Sequence, residues 1–179
     1  MGRAFDSITD QMRAFIERQH VFFVATAPDE GGHVNLSPKG YDSLRILGEN
    51  RVAYLDLTGS GAETIAHVRQ NGRITFMFCA FEGKPNIVRL YGAGRYVRPG
   101  DPEFDELIAG FGPYNGARSI VVADIDRTST SCGYSVPFMD YVDERQRLDQ
   151  HWEGKSETDL DEYWAKKNAA SIDGLPALD

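Results

Sequence analysis

The chain has 179 residues, a formal net charge of −8 at pH 7 and a sequence pI near 5.0. An acidic chain without a cluster of lysines and arginines does not offer the basic surface that nucleic-acid binding requires. Its length and ordinary apolar fraction predict a single domain, residues 1–179, around one core. Two widely separated cysteines and no long apolar run predict a cytoplasmic protein that does not enter a membrane.

The first predicted element is an amphipathic helix that ends before Val21. Its apolar residues recur at helical spacing and form one face: Phe5, Ile8, Met12, Phe15 and Ile16. Two β-rich runs follow, at residues 21–27 and 33–38. The Pro-Asp-Glu-Gly-Gly sequence between them is typical of a turn, so these two runs are predicted to form a hairpin.

The middle of the chain is predicted to contain further strands. They cover residues 45–47, 51–57, 73–81, 87–97 and 119–126. Turn sequences rich in Gly, Asn and Pro separate most of these runs. Six or seven closely spaced strands favour a small barrel over an open sheet, because an open sheet would leave its edges exposed.

A Gly-rich turn, Thr58-Gly59-Ser60-Gly61, separates strand 51–57 from a predicted helix. Ser60 and Glu63 have the S-x-x-E spacing of a capping box, which places the helix start there. The first N–H groups of a helix are unpaired and lie at the positive end of its dipole, so such a turn can hold a phosphate. An ordinary capped helix explains the same pattern, and both interpretations stay open.

Two more helical regions complete the chain. The helix after the Gly-rich turn is predicted to end at Asn71-Gly72, and another to begin at Asp101-Pro102. The latter carries an apolar face: Phe104, Leu107, Ile108 and Phe111. Residues 143–179 are charged and helical, with a few large apolar anchors: Leu148, Trp152, Leu160, Tyr163 and Trp164. This extension is therefore expected to pack on another part of the protein.

Several strings, in this order, resemble the pyridoxamine 5′-phosphate oxidase-related family of FMN-binding split β-barrels. The resemblance covers roughly residues 20–137, the predicted barrel core. The matching strings are Asn35-Leu36-Ser37-Pro38-Lys39, the stretch from Tyr54-Leu55-Asp56 to His67, Asn71-Gly72-Arg73 through Phe78, and Arg89-Leu90-Tyr91-Gly92. The resemblance implies a six-stranded Greek-key barrel, mainly β with flanking helices. It also implies a homodimer with FMN in two clefts built from both subunits, and residues 143–179 packing on the barrel or the partner subunit.

The resemblance and the chemistry of FMN together indicate a site. FMN presents a dianionic phosphate, a chain of hydroxyls and a flat ring. The residues expected to hold it are Asn35, Ser37, Lys39, Tyr54, Asp56, Ser60, Thr64, Arg89, Arg118 and Tyr134. Ser37, Lys39 and the helix start at 60–64 are the phosphate candidates. Tyr134 lies in a small-residue and aromatic segment and offers its face to the flavin ring.

One departure from the family pattern affects the charge of this site. Members that bind the FMN phosphate tightly place Arg-Lys near the position of Ala62-Glu63 here. Glu63 would repel a phosphate, so we assign it to the helix cap and expect the positive charge from Lys39, Arg89 or Arg118. Each cation also has a plainer interpretation, as a solvated charge or as a partner of a carboxylate across the sheet.

The resemblance implies an FMN-dependent oxidoreductase acting on a small molecule, with no catalytic residue identified. Pyridoxamine phosphate oxidases carry a C-terminal Arg-Leu-x-Pro motif, and residues 171–179 contain no arginine, which argues against vitamin B6 oxidation. The alternatives are a flavin-binding or sensing protein without turnover and a barrel that binds haem or deazaflavin F420. No metal-ligand spacing occurs, and only His67, interpreted as a packing or surface residue, and Cys132 could ligate haem iron.

Overall fold

Antiparallel strands make up most of the molecule. The computed structural model describes residues 2–178, and within them eight strands and five helices. The strands are β1 (Arg3–Phe5), β2 (Phe22–Thr26), β3 (Asn35–Lys39), β4 (Leu44–Gly48), β5 (Arg51–Leu57), β6 (Arg73–Cys79), β7 (Ile87–Val97) and β8 (Ala117–Ser131). The helices are α1 (Asp10–Ile16), α2 (Glu63–Gln70), α3 (Pro102–Ile108), α4 (Arg147–Trp152) and α5 (Glu157–Lys167).

The sheet curls around its core. Its strand order is β3-β2-β6-β7-β8-β5-β4, and β1 pairs with β8. The rings of Phe22 in β2 and Tyr54 in β5 lie 5.9 Å apart, although three strands separate β2 from β5 in this order. At about 4.8 Å per strand, a flat sheet would hold the two rings about 19 Å apart. The sheet therefore folds back on itself, and the predicted mainly-β split barrel with flanking helices is confirmed.

Alternation along the strands decides which side chains enter the core. In β2, Phe22, Val24 and Thr26 are buried, whereas Phe23 and Ala25 are half-buried on the opposite face. A smaller apolar cluster lies outside the barrel, where Phe104 of α3 packs with residues of β5 and β8. The predicted hairpin of β2 and β3 and the predicted start of α3 after Asp101 are both present.

The N-terminal prediction was partly wrong. Arg3–Phe5 forms β1 on β8 instead of the first turn of a helix, which adds an eighth strand to the seven runs read from the sequence. Helix α1 begins only at Asp10, where the Thr9 side chain accepts from the Met12 N–H at 3.3 Å. Ile8 is buried in the core without being helical. The apolar spacing therefore identified core residues correctly, but pairing with β8 determined the backbone conformation.

The C-terminal residues pack on the Gly-rich turn of the same chain. The indole N–H groups of Trp152 and Trp164 donate to the carbonyl and hydroxyl oxygens of Thr58, both at 2.9 Å. Asn168 is fully buried, and its amide donates to the Gly59 carbonyl at 3.0 Å. Farther along, Leu175, Ala177 and Leu178 pack against α2. These contacts join the extension to the barrel of its own subunit.

One face of the sheet has no cover from the described part of the chain. Cross-strand pairing places half-buried or exposed side chains in two rows on this outer face. The first row is Pro38, Phe23, Met77, Arg89 and Ser129, and the second is Leu36, Ala25, Thr75, Tyr91 and Arg127. Leu36, with 60% of its surface exposed, is the most accessible large apolar side chain of the two rows.

Gly92 marks a close approach of β7 and β8. The register of this pair shifts between Tyr91 and Gly92, so that Asp126 becomes an extra residue on β8. A Cβ atom built at Gly92 would overlap the carbonyl group of Asp124. Because the obstacle is backbone, it cannot be relieved by a rotamer change, and only glycine fits at this irregularity.

We expect Gly92→Ala to lower the free energy of unfolding by more than about 2 kcal/mol, because the new methyl group forces β7 and β8 apart. Gly48→Ala is the matched control, since a Cβ there meets no atom within 4 Å, and it should change stability by less than about 0.5 kcal/mol. Urea unfolding of the two variants measures both changes. Equal effects would contradict a backbone contact at Gly92.

Candidate functional site

Polar side chains gather where β3, β5, β8 and α2 meet. Alternation along β3 directs Asn35, Ser37 and Lys39 to the same side as the buried residues of β2, and Leu36 and Pro38 to the outer face. On the neighbouring elements, the contributing residues lie near the start of α2, near the end of β5 and at the start of β8. Six of the ten predicted site residues lie here in two bonded groups. Asn35, Ser37 and Thr64 are joined by hydrogen bonds, and Lys39, Asp56 and Arg118 by ion pairs.

Asp56 is the centre of the charged part of the site. The residue is 1% exposed. Its carboxylate accepts hydrogen bonds from Arg118 Nε at 2.8 Å and from Ser119 Oγ at 3.2 Å. Lys39 Nζ lies 3.3 Å from the same carboxylate. Arg118 is also buried, and a second N–H of its guanidinium donates to the Gly61 carbonyl at 2.9 Å. One carboxylate and two cations leave a net positive charge, and the accessible cation is Lys39, whose side chain is 24% exposed.

Opposing effects set the pKa of Asp56. Burial raises the pKa of the carboxyl, but attraction to Arg118 and Lys39 and their hydrogen bonds outweigh burial, so the pKa lies below the ordinary value of 3.8. Asp56 is therefore ionised at neutral pH. Removing Asp56 would leave the buried Arg118 charge without its counter-charge, which is far more costly than losing a surface ion pair.

A β-bulge brings Arg118 to Asp56. Asp56 pairs with Ser119 and Leu57 pairs with Ala117, so Arg118 is the extra residue on β8. Regular alternation would direct neighbouring side chains 118 and 119 to opposite faces, whereas both contact Asp56 here. Arg118 is thus held in an ion pair inside the protein and is only 4% exposed, and its phosphate role stays a prediction.

The uncharged part of the site is a chain of amide and hydroxyl groups. The Asn35 amide donates to Thr26 Oγ1 at 3.1 Å and to Thr64 Oγ1 at 3.0 Å, while Ser37 Oγ donates to Asn35 Oδ1 at 2.9 Å. Thr26 Oγ1 lies 2.9 Å from His67 Nδ1. Burial lowers the pKa of His67 from its ordinary value, so the imidazole is neutral at pH 7.

Tyr54 lies between the charged and uncharged groups. Its ring is fully buried, with Lys39 Nζ 5.3 Å from the ring centroid, a cation–π distance. The hydroxyl has no hydrogen-bond partner of normal geometry among the described residues. Burial, with the nearby Asp56 carboxylate, raises the pKa of Tyr54 well above its ordinary value, so the phenol stays protonated.

The start of α2 differs from the prediction. Helix α2 begins at Glu63 with Ala62 as its N-cap, and no side chain caps it, so the predicted capping box of Ser60 and Glu63 is wrong. Glu63 Oε1 instead accepts from the Ile172 N–H at 3.3 Å, in the C-terminal extension. Ser60 is exposed and contributes only its carbonyl, 3.4 Å from the Asn168 amide. The first turn of α2 therefore keeps N–H groups without a side-chain acceptor.

Two predicted residues lie away from this cluster. Arg89 is on the outer face of the sheet and donates to Ser131 Oγ at 3.1 Å. Tyr134 is 82% exposed. Among the described residues, neither side chain forms a hydrogen bond with Lys39 or Asp56. The resemblance implies a cleft shared by two subunits, so a role for Arg89 and Tyr134 in the cofactor site stays a prediction.

Sequence reasoning missed three members of the site: Thr26, His67 and Ser119. Thr26 lies directly opposite Asn35 in the hairpin, and His67 follows Thr64 by three residues on the same face of α2. Both spacings are visible in the sequence once the elements are assigned. His67 was interpreted as a packing or surface residue. The surface alternative is wrong because the ring is fully buried, and the packing alternative is incomplete because the ring is hydrogen-bonded to the site.

An open groove begins beside this cluster. Its volume is about 2060 Å³, and it runs from Lys39 and Tyr41 between α1, the turn at 82–86 and residues 139–148. Tyr141 lines the groove and stacks on His20, with ring centroids 3.7 Å apart. This volume exceeds the roughly 300–1,000 Å³ of a typical ligand pocket, so the groove is a cleft open to solvent and not a closed pocket.

Comparison with known proteins assigns this chain to a family. A family model described as pyridoxamine 5′-phosphate oxidase matches residues 8–132. The chain is 38% identical, over 191 aligned positions, to the pyridoxamine 5′-phosphate oxidase family protein ustO of Aspergillus flavus, covering 97% of this chain and 77% of that protein. This chain belongs to the pyridoxamine 5′-phosphate oxidase family. The resemblance stated from the sequence is confirmed.

Solved structures agree with the family at the level of the fold. HupZ from Group A Streptococcus superposes with a TM-score of 0.54 at 21% identity, covering 68% of this chain and 91% of that chain. An FAD binding protein from Mycobacterium smegmatis superposes with a TM-score of 0.51 at 12% identity, covering 71% of this chain and 97% of that chain. At such identities the similarity concerns the barrel alone. Within residues 2–178, no helix has the length and apolar character needed to cross a membrane.

We expect Asp56→Asn to lower the free energy of unfolding at pH 7 by about 3–5 kcal/mol, because the Arg118 charge stays buried without its counter-charge. The folded-state pKa of Asp56 lies below 3.8, so its contribution is fully present above that pH and is lost as the pH falls through the folded value. The difference in free energy of unfolding between the wild type and Asp56→Asn should therefore narrow below pH 3.8.

Asp124→Asn is the control for this experiment. Asp124 pairs with Arg51 at 2.6 Å, but both side chains are about half exposed, so the change should be below about 1 kcal/mol. Denaturant unfolding at several pH values measures all three proteins. If the difference in free energy of unfolding between the wild type and Asp56→Asn widens on acidification, the assigned direction of the Asp56 pKa shift is contradicted.

Proposed function

We propose that this member of the pyridoxamine 5′-phosphate oxidase family binds flavin mononucleotide in a homodimer and works as an oxidoreductase. The observation that carries the proposal is the cluster of Asn35, Ser37, Lys39 and Thr64 beside the uncapped start of α2. A phosphate needs N–H or O–H donors and a positive potential, and the hydroxyl-rich chain of FMN needs polar partners. This cluster supplies both.

The charge of the cluster is compatible with an anionic ligand. An ammonium group has three N–H donors, and Lys39 uses one on Asp56, so it keeps donors for a phosphate. Glu63, the residue expected to repel a phosphate, accepts a hydrogen bond from the Ile172 N–H in the extension. With Arg118 neutralising Asp56, the three charges of Asp56, Arg118 and Lys39 sum to +1, which favours an anion beside Lys39.

The groove beside Lys39 supports the placement of the flavin ring. A flat ring next to Lys39 would enter this cleft, where Pro38, Tyr41 and Tyr141 provide apolar walls. When bound, the flavin supplies hydride or electron transfer. The residues of this chain would hold and orient it: Lys39 through charge, Asn35 and Thr64 as the hydrogen-bonded wall, and the groove by excluding water from one face of the ring.

The uncovered outer face supports a homodimer. Its two rows place Phe23, Met77 and Tyr91 at the surface together with Leu36, a contiguous apolar patch of the kind that marks an interface. Arg89 lies in the same patch. In the proposed dimer, Arg89 and Tyr134 of one subunit would contribute to the site of the other, which would account for their distance from Lys39 in their own chain.

Haem and FAD are weaker alternatives. His67 is fully buried and uses Nδ1 on Thr26, so it presents no ring nitrogen to a haem in the groove. Cys132 is exposed.

One structural neighbour is described as FAD binding, and FAD contains the same flavin ring and a phosphate, so the purified protein must be tested with both nucleotides.

We expect Lys39→Met to weaken FMN binding about tenfold or more, since it removes a charge-assisted hydrogen bond. Lys155→Met, at an exposed position outside the site, should bind FMN as the wild type does. Quenching of flavin fluorescence gives the affinities, and thermal unfolding confirms that the variants are folded.

Wild-type protein that gains no flavin absorbance with FMN or FAD would refute the cofactor proposal. Bound flavin that neither NADH nor NADPH reduces under nitrogen would refute an oxidoreductase that uses a pyridine nucleotide.

We expect Met77→Glu to convert the proposed dimer to a monomer, because it buries a carboxylate at the centre of the apolar patch. Leu47→Glu is the matched control, since Leu47 is also an exposed apolar residue but lies on β4, away from the two rows. Analytical ultracentrifugation measures the mass. A wild-type monomer would refute the dimer, and a Met77→Glu monomer that binds flavin as tightly as the wild type would refute the shared site.

A further inference from the structure

His67 is a buried ionisable member of the site to which the proposed function assigns no contact with the ligand. Its ring is fully buried, one nitrogen contacts Thr26, and Nε2 has no partner among the described residues. The ring lies at the inner end of the hydrogen-bonded chain that runs from Ser37 through Asn35 and Thr26. A group at the closed end of such a chain can determine the direction of every hydrogen bond along it.

Counting the donors and acceptors of the side-chain hydrogen bonds favours one tautomer. In the first arrangement, His67 Nδ1 is unprotonated and the Thr26 hydroxyl donates to it. The Asn35 amide then donates its two N–H groups to Thr26 and Thr64. Only the Nε2–H of His67 is left unpaired. If Nδ1 carries the hydrogen, the Nε2 lone pair is unpaired. The Thr26 hydrogen then finds an acceptor only if the Asn35 amide is reversed, which leaves one of its N–H groups without a partner. The first arrangement leaves fewer unpaired groups and is the less costly one.

We propose that His67, as the Nε2–H tautomer, is a positioning residue that fixes the Asn35 amide and so leaves Ser37 as a hydrogen-bond acceptor toward the bound nucleotide. This inference rests on the proposed function for its ligand, whereas the chain of hydrogen bonds is independent of that function. With Thr26 donating to His67, the Thr26 oxygen accepts from Asn35, which directs the Asn35 carbonyl oxygen at Ser37.

The consequence for recognition concerns Ser37 and Lys39. The hydroxyl hydrogen of Ser37 is used on Asn35, so Ser37 presents lone pairs to a ligand, whereas Lys39 presents N–H donors. The two residues therefore bind different parts of the nucleotide. Lys39 suits the phosphate or another anionic group, and Ser37 suits a ligand hydroxyl or ring N–H. The assignment of Ser37 to the phosphate, made from the sequence, is replaced by this one.

The surroundings of His67 keep the ring neutral. Burial lowers its pKa and is the largest influence. Three groups act in the opposite direction: the Glu63 carboxylate on α2, the Asp173 carboxylate in the C-terminal extension and a hydrogen bond to the Thr26 backbone. Asp173 is itself held by His33, with its Oδ2 accepting from the His33 N–H at 2.8 Å. A neutral ring keeps the Nδ1 lone pair that the proposal requires.

The first test is independent of flavin. Long-range ¹H–¹⁵N correlation spectra of the full-length, ligand-free protein at pH 7 report which histidine nitrogen carries hydrogen. We expect His67 to be protonated at Nε2 and unprotonated at Nδ1. A ring with hydrogen on Nδ1, alone or in the doubly protonated form, would overturn the proposal.

The second test compares His67→Asn with His67→Leu. The Asn carbonyl oxygen lies near the position of Nδ1 and can accept from Thr26, whereas Leu cannot. We expect His67→Leu to weaken FMN binding about fivefold or more and to shift the NMR signals of the Asn35 side-chain amide, and His67→Asn to restore both to near wild type. Equal loss in the two variants, or no loss in either, would overturn the proposal.

A failure of the proposed function and a failure of the proposed role of His67 can be told apart. A wild-type protein that binds no flavin would end the proposed function, while the tautomer and the Asn35 amide signals of the ligand-free variants would still decide the role of His67. Thermal unfolding of each variant shows whether it is folded. If His67→Leu does not fold, the wild-type tautomer and the Asn35 signals of His67→Asn decide the proposal.

Discussion

The buried carboxylate of Asp56 is the interaction on which the candidate site depends. It joins three strands, because Asp56 lies on β5 and its partners Lys39, Arg118 and Ser119 lie on β3 and β8. Arg118 extends the connection to the Gly-rich turn through the Gly61 carbonyl. A buried carboxylate is stable only when such partners compensate for lost hydration. The strand ends and the start of α2 are therefore held in one arrangement by one charge.

The same constraint decides how the site differs from the family pattern that the sequence resembles. Arg118 is paired with Asp56 inside the protein, and Glu63 stands at a position where the family resemblance leads us to expect a cation. Lys39 remains as the accessible positive charge of the described cluster. An anionic ligand would thus depend on one ammonium group and on neutral donors, an arrangement with weaker charge attraction than an Arg-Lys pair provides.

The C-terminal extension stabilises this arrangement from outside the barrel. Two indole N–H groups and the Asn168 amide pair with backbone and hydroxyl oxygens of residues 58–60. These oxygens belong to a turn with no regular sheet partners, so the extension supplies donors that the barrel does not. The outer sheet face receives no such cover from the described residues, and that asymmetry is what gives the proposed dimer its surface.

The sequence by itself determined the family, the strands β2, β5 and β7, the hairpin of β2 and β3, and the presence of Asn35, Lys39 and Thr64 among the site candidates. These features follow from local alternation, turn residues and short motifs, which act over a few residues. Only the tertiary structure decided that Arg3–Phe5 pairs as a strand, that a bulge directs Arg118 to Asp56, and that His67 closes a hydrogen-bonded chain. His67 lies 41 residues from Thr26 in sequence, and Arg118 lies 62 from Asp56. No local pattern reports a partner at that distance, because the contact exists only once the strands between them have paired.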